Sequence, residues 1–151
     1  MTDDEPWLSP DQQRAWRHWV ALGTALPTAL NRQLQEDSGL SLSDYDVLVA
    51  LTEAPDGRLR VGDLASSLGW ERSRCSHHVR RMAGRGLLDK TDHADDGRGA
   101  WVVVTDAGCA AIDRAAPGHA RLVRDLVFAD LSPAEVDVLQ RALGAVVRRL
   151  G

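Results

Sequence analysis

The chain has 151 residues and a formal net charge of −4, with 44% apolar and 26% charged residues. That composition fits one soluble globular domain, too short to carry a separate catalytic domain beside its core. No apolar run approaches the roughly 20 residues that cross a bilayer, and the opening Met-Thr-Asp-Asp-Glu-Pro is acidic where a secretory signal is basic. A cytoplasmic protein without a membrane partner is the expectation. Cys75 and Cys109 give neither a disulfide framework nor metal-ligand spacing.

The charge is unevenly spread. Residues 58–104 hold nine basic against six acidic side chains, an excess of three positive charges that leaves seven net negative charges on the rest. A basic middle between acidic ends directs attention to where those arginines lie.

In chain order, Ser9-Pro10-Asp11-Gln12 opens a first helix, with Ser as N-cap, Pro at N1 and Gln at N3. Its apolar stripe runs through Trp16, Val20, Gly23, Leu26, Leu30 and Leu34 to about residue 37, and Pro27 is expected to bend it. Ser41-Leu42-Ser43-Asp44 is a second capping box, starting a helix with Tyr45, Leu48 and Leu51 on one face that stops at the turn in 54–57. A third helix over about 61–68 turns Leu64, Ala65 and Leu68 inward. Only Gly69-Trp70-Glu71 separates it from a fourth over about 72–85, which ends at Gly86. Two short helices on so short a link make a helix-turn-helix. Residues 87–91 and 100–104 read as two strands around a turn-rich tip at 93–99. Thr105-Asp106 caps a fifth helix that Pro117 is expected to interrupt. Ser132-Pro133-Ala134-Glu135 caps a sixth, where Val136, Leu139, Leu143, Val146 and Leu150 form a coiled-coil-like seam. The fold class is mainly α with a small β-hairpin, in the order α-α-α-α-β-β-α-α.

At 100° per residue, Cys75, Val79 and Met82 share one face of the fourth helix and must pack inward. Ser73, Arg74, His77 and Arg81 fall opposite, with Ser76, Arg80 and Arg85 toward the edges. A basic free face suits a major groove, where early side chains reach base edges and later arginines reach phosphates. Arg74 has the geometry to pair bidentately with guanine, and His77 to donate or accept at a base edge. The same helix is also compatible with a solvated surface. The hairpin tip adds a second element of the same kind: an Arg98 held out between strands can enter the neighbouring minor groove, oriented by the Asp96 carboxylate.

These residues, in this order, resemble the multiple-antibiotic-resistance regulator (MarR) family. The clearest likeness is Asp96-Gly97-Arg98-Gly99-Ala100-Trp101-Val102-Val103-Val104-Thr105, similar to that family's wing signature with Val104 in place of Leu. Leu64-Ala65, the segment 73–77 and Arg85-Gly86-Leu87-Leu88 resemble its helix-turn-helix and the turn into the wing. Glu71 departs from the family's usual small N-cap, and His77 and His78 stand where Arg and an apolar residue are common. The resemblance implies a single domain over 1–151: a winged helix-turn-helix lobe at 41–104, and dimerisation helices at 9–37 and 106–150. It also implies a homodimer on double-stranded operator DNA, released by a small, often phenolic, effector. Trp16, Trp19 and Tyr45 lie on the helices where such a pocket would form, although aromatics on inward stripes are more often core.

No cofactor or metal is expected. The histidines at 77, 78 and 93 lack ligand spacing, and no phosphate loop, His-Glu-x-x-His pattern or nucleophile turn marks an enzyme. Two alternatives stay open: a winged-helix module that binds an acidic protein instead of DNA, and a regulator switched by oxidation of Cys75 or Cys109. An inward Cys75 would be a buried, unreactive thiol.

Overall fold

The computed structural model describes residues 7–91 and 100–151. Its elements are α1 (Pro10–Ser38), α2 (Leu42–Glu53), β1 (Arg58–Arg60), α3 (Val61–Leu68), α4 (Arg72–Gly84), β2 (Leu88–Thr91), β3 (Trp101–Val104), α5 (Asp106–Val123) and α6 (Pro133–Leu150). A 3₁₀ turn at Pro55–Gly57 precedes β1, and a π-helical turn at Arg124–Phe128 extends α5. None of these helices is long and apolar enough to cross a membrane.

Local side-chain chemistry sets most helix starts. Ser9, Ser41 and Ser132 each accept from the N3 backbone, while Gln12, Asp44 and Glu135 reach back to the cap N–H: three reciprocal capping boxes at the expected positions. Thr105 caps α5 by accepting from the Gly108 N–H and donates its hydroxyl to the Gly86 carbonyl, tying α5 to the end of the α4 segment. Glu71 makes no side-chain cap bond to α4. Gly86, at φ +76°, adopts the left-handed backbone that turns the chain from α4 into β2.

The core lies in the middle of the chain. Leu34, Leu40, Val47, Leu48, Leu51, Leu64, Val79, Met82, Leu88 and Val102 are fully or almost fully buried, joined by Ala111 and Ala115 of α5. Gly108 sits so close to the wing that a Cβ there would meet the Leu87 carbonyl oxygen at 2.2 Å.

Three features differ from the sequence reading. The sheet has three strands, ordered β1-β3-β2 and antiparallel throughout, with Arg58 opposite Val103 and Leu88 opposite Val104. β1 escaped notice because Arg-Leu-Arg is too short, with a single apolar side chain, to show a strand period; pairing with β3 makes it a strand. Pro117 does not interrupt α5, which runs unbroken from Asp106 to Val123, just as α1 runs on through Pro27. Each proline removes one backbone hydrogen bond, and the long mutual packing of α1 and α5 holds both helices through that loss. α4 closes at Gly84, one residue short of the expected end.

Candidate nucleic-acid interface

α4 is placed by what it buries. Cys75, Val79 and Met82 are fully buried, as the stripe requires, and the Cys75 Sγ points to the Val61 carbonyl at 3.8 Å. Burial pushes that thiol's pKa up, away from the reactive thiolate. Ser73, Arg74, His77, Arg80 and Arg81 are exposed and Ser76 is half-buried, so the candidate DNA face is on the outside of the lobe. Asp96 and Arg98 lie outside the described residues, and the wing expectation rests on sequence.

Three of the helix's arginines are not loose in solvent. The Arg74 guanidinium lies 4.3 Å from the Trp70 ring centroid, a cation–π contact that aims the arginine from the start of the helix. An Arg81 Nη2 is 2.8 Å from His78 Nδ1. Arg85 donates through Nη1 to Asp44 Oδ2 at 2.6 Å and through Nη2 to the Gly39 carbonyl at 3.1 Å. Arg74 and Arg81 share one stripe of α4 that continues to Arg85 just past its end, and it is Arg85 that reaches α2 and the residue after α1.

Sequence reasoning missed the centre of this arrangement. His78 is buried, with 7% exposure, and Asp44 is buried at the start of α2 with 4%. The His78 Nε2 lies 2.9 Å from Asp44 Oδ1, a close polar contact out of line for a well-directed hydrogen bond. Burial raises the Asp44 pKa, but Arg85, the Ser41 N–H and His78 together outweigh it and hold the carboxyl below its ordinary value. Burial likewise lowers the His78 pKa, against the opposing pull of Asp44. The signal was present in the helical period: 75, 78, 79 and 82 share one inward stripe, although a histidine there does not advertise its carboxylate. Arg58 and Arg60, also not singled out, stand 4.6 and 4.3 Å from the ring centroid of Trp101, the first residue of β3.

The three aromatic pocket residues are not brought together. Trp16 and Trp19, with exposures of 56% and 47%, line a shallow hollow of about 320 Å³ with Gln12 and Ala15 of α1 and Leu8 just before it. Tyr45 instead stacks against His119 of α5 at 4.4 Å between centroids. Among the described residues no three histidine, cysteine or acidic side chains cluster to hold a metal ion.

A second feature concerns the two ends of the chain. α6 buries none of its residues and packs extensively on no other element among the described residues. Val127, Phe128, Val136, Leu139 and Leu143 surround an apolar hollow of about 350 Å³, and Leu22, Leu26, Leu126 and Val127 surround another between α1 and the π-helical turn.

Residues 38–99 match the family model described as MarR family. The whole fold is similar to Sco3205, a MarR family transcriptional regulator from Streptomyces coelicolor solved in complex with DNA. That likeness covers 96% of this chain and 94% of the other, with 37% identity and a TM-score of 0.87. AbsC, a MarR family regulator from the same organism, is similar over 97% and 98% of the two chains, with 32% identity and a TM-score of 0.87. Among curated proteins, the HTH-type transcriptional repressor YetL of Bacillus subtilis is 27% identical over 112 residues, 74% of this chain and 66% of that protein.

Proposed function

The chain belongs to the MarR family of transcriptional regulators, and from that premise we propose that it is a homodimeric repressor that reads a pseudo-palindromic operator with one α4 in each half-site. Its family and fold are those of regulators, not enzymes. The observation that carries the DNA reading is the division of α4: Cys75, His78, Val79 and Met82 are buried, while Ser73, Arg74, His77 and Arg80 stand outside. Ser73, Arg74, Ser76 and His77 are the side chains assigned to base edges, and Arg80 and Arg81 to phosphates. Arg98, oriented by Asp96, is assigned to the minor groove. The DNA-bound state of Sco3205 supports this assignment, and the name of YetL supports repression.

Dimerisation is supported by the apolar side chains left uncovered. Val138, Val146, Val147 and Leu150 of α6 and Trp16, Val20 and Leu22 of α1 are all exposed in the single chain. An interlocked pair of first and last helices from two copies would remove both surfaces from water together. Release by a small aromatic effector is the outer part of the proposal, resting on the Trp16–Trp19 hollow; Tyr45 does not line it.

A mobility shift over a range of salt tests the reading. Duplex binding that weakens steeply between about 50 and 200 mM salt is expected, because each phosphate contact releases a counterion. A protein that ignored duplex DNA at low salt but bound an acidic protein partner would belong to the interaction-module alternative.

A further inference from the structure

We propose that His78, held by Asp44 as its Nε2–H tautomer, is a positioning residue that presents the Arg81 guanidinium to the DNA backbone. The proposal rests on the DNA-binding reading above and adds to it a buried device behind the binding face.

The argument starts from donors and acceptors. A guanidinium only donates, so the contact between Arg81 Nη2 and His78 Nδ1 at 2.8 Å requires a lone pair on Nδ1. The ring is then neutral and its proton sits on Nε2, the atom 2.9 Å from Asp44 Oδ1. That carboxylate is itself fixed: its other oxygen accepts from Arg85 at 2.6 Å and from the Ser41 N–H at 3.0 Å, within the capping box of α2. The Trp70 ring stands edge-on to the imidazole, 5.4 Å between centroids. A line of polar contacts therefore runs from the start of α2, through a buried ring, to an exposed arginine one turn further along α4.

Packing alone gives no reason for an imidazole here. An apolar side chain of similar size would fill the space without the cost of burying a polar ring. What the imidazole adds is one outward acceptor, and the side chain that uses it is Arg81. Held by one Nη2 contact, the guanidinium keeps further N–H groups for a phosphate and loses less conformational freedom when it binds one.

The device has a proton-dependent state. The charged groups facing His78 are Asp44 from α2 and Arg74 and Arg81 from α4 itself. Arg85, just past α4, reaches it only through Asp44 and also meets the Gly39 carbonyl, and the uncharged Gln35 of α1 lines the same hollow as His78. Protonating the ring would set an Nδ1–H donor against the Arg81 guanidinium and break the contact.

The test uses the full-length protein and a mixed-sequence duplex, with anisotropy read across salt and pH. Arg81→Ala should flatten the salt slope by about one unit, the signature of a lost phosphate contact. His78→Leu should reproduce most of that flattening with a several-fold loss of affinity. His78→Gln, which can donate to Asp44 and accept from Arg81, should stay within about twofold of wild type and remove the loss of affinity at low pH. The double variant His78→Leu/Arg81→Ala should bind no worse than Arg81→Ala alone. Additive losses, or a wild-type slope in His78→Leu, would overturn the proposal. So would ¹⁵N NMR of the DNA-free protein showing the His78 proton on Nδ1, a readout that needs neither DNA nor a variant. Failure of the wild type to bind duplex at low salt would instead sink the DNA-binding reading, and this proposal with it.

Discussion

Replacing Asp44 with alanine removes a side chain that serves α2 and α4 at once. The carboxylate is buried, closes the capping box on the Ser41 N–H, receives Arg85 and faces His78. Losing the reciprocal cap costs about 1 kcal/mol. Stranding the buried His78 Nε2–H adds about 1 kcal/mol, the low end of the range for an unpaired buried donor because the contact is out of line. The Arg85 side chain is 45% exposed and can turn to water, so little is added for its charge. Relief of carboxylate desolvation offsets part of the total, leaving about 1.5–2 kcal/mol, or roughly 3–8 °C in Tm for a chain of this size. Urea unfolding at pH 7 and one fixed protein concentration measures it, the concentration mattering if the protein dimerises. The sign with pH is a second check. Asp44 has a depressed pKa in the fold, so its contribution is present above the ordinary value of 3.8 and is lost as pH falls through the folded value. A loss under about 0.5 kcal/mol at pH 7, well below the cost of one stranded donor, would mean that Asp44 does not join α2 to α4.

Gly108→Ala should be among the most damaging single-methyl changes. The new Cβ would meet a backbone carbonyl at 2.2 Å, and thermal unfolding should register about 2 kcal/mol or more, as for an overpacked core site; a wild-type Tm would show that α5 does not sit that close to the wing. His78 and His119 both have pKa values lowered by burial. The fold therefore excludes their protons, and stability should be full above about pH 6.5 and fall as pH drops through the folded values. A urea midpoint constant between pH 7 and 5 would contradict that. His77→Ala should cost about 1–3 kcal/mol and blur the preference at particular base pairs, whereas Arg80→Ala should weaken all duplexes alike. Footprints on an operator series separate the two outcomes, and identical behaviour would move His77 off the base edges. Removing α6 after Leu131 should leave a monomeric or poorly soluble chain, checked by sedimentation; an unaltered dimer would place the interface elsewhere.

What was legible in the sequence was the local code. Ser9, Ser41 and Ser132 each stand three residues before a side chain that caps them in return, and such signals need no tertiary context. The α3-turn-α4 segment was legible for a similar reason: Gly69 supplies a left-handed turn at φ +64° between two short apolar stripes. β1 was not, because Arg58-Leu59-Arg60 becomes a strand only by pairing with residues more than forty positions later. The Asp44–His78–Arg81 line was half legible. The period would have put His78 with Cys75, Val79 and Met82 had it been followed there, but only the fold brings Asp44 of α2 beside it as an acceptor. Arg81 shows the limit most clearly: helical angle alone set it on an open face, while the structure turns its guanidinium back onto His78.

Selection of bound duplexes from a random pool tests the central claim most directly. The proposed dimer, with one α4 in each half-site, should return an inverted repeat whose half-site centres lie about one helical turn apart. Direct repeats, or a pool with no common motif, would contradict it.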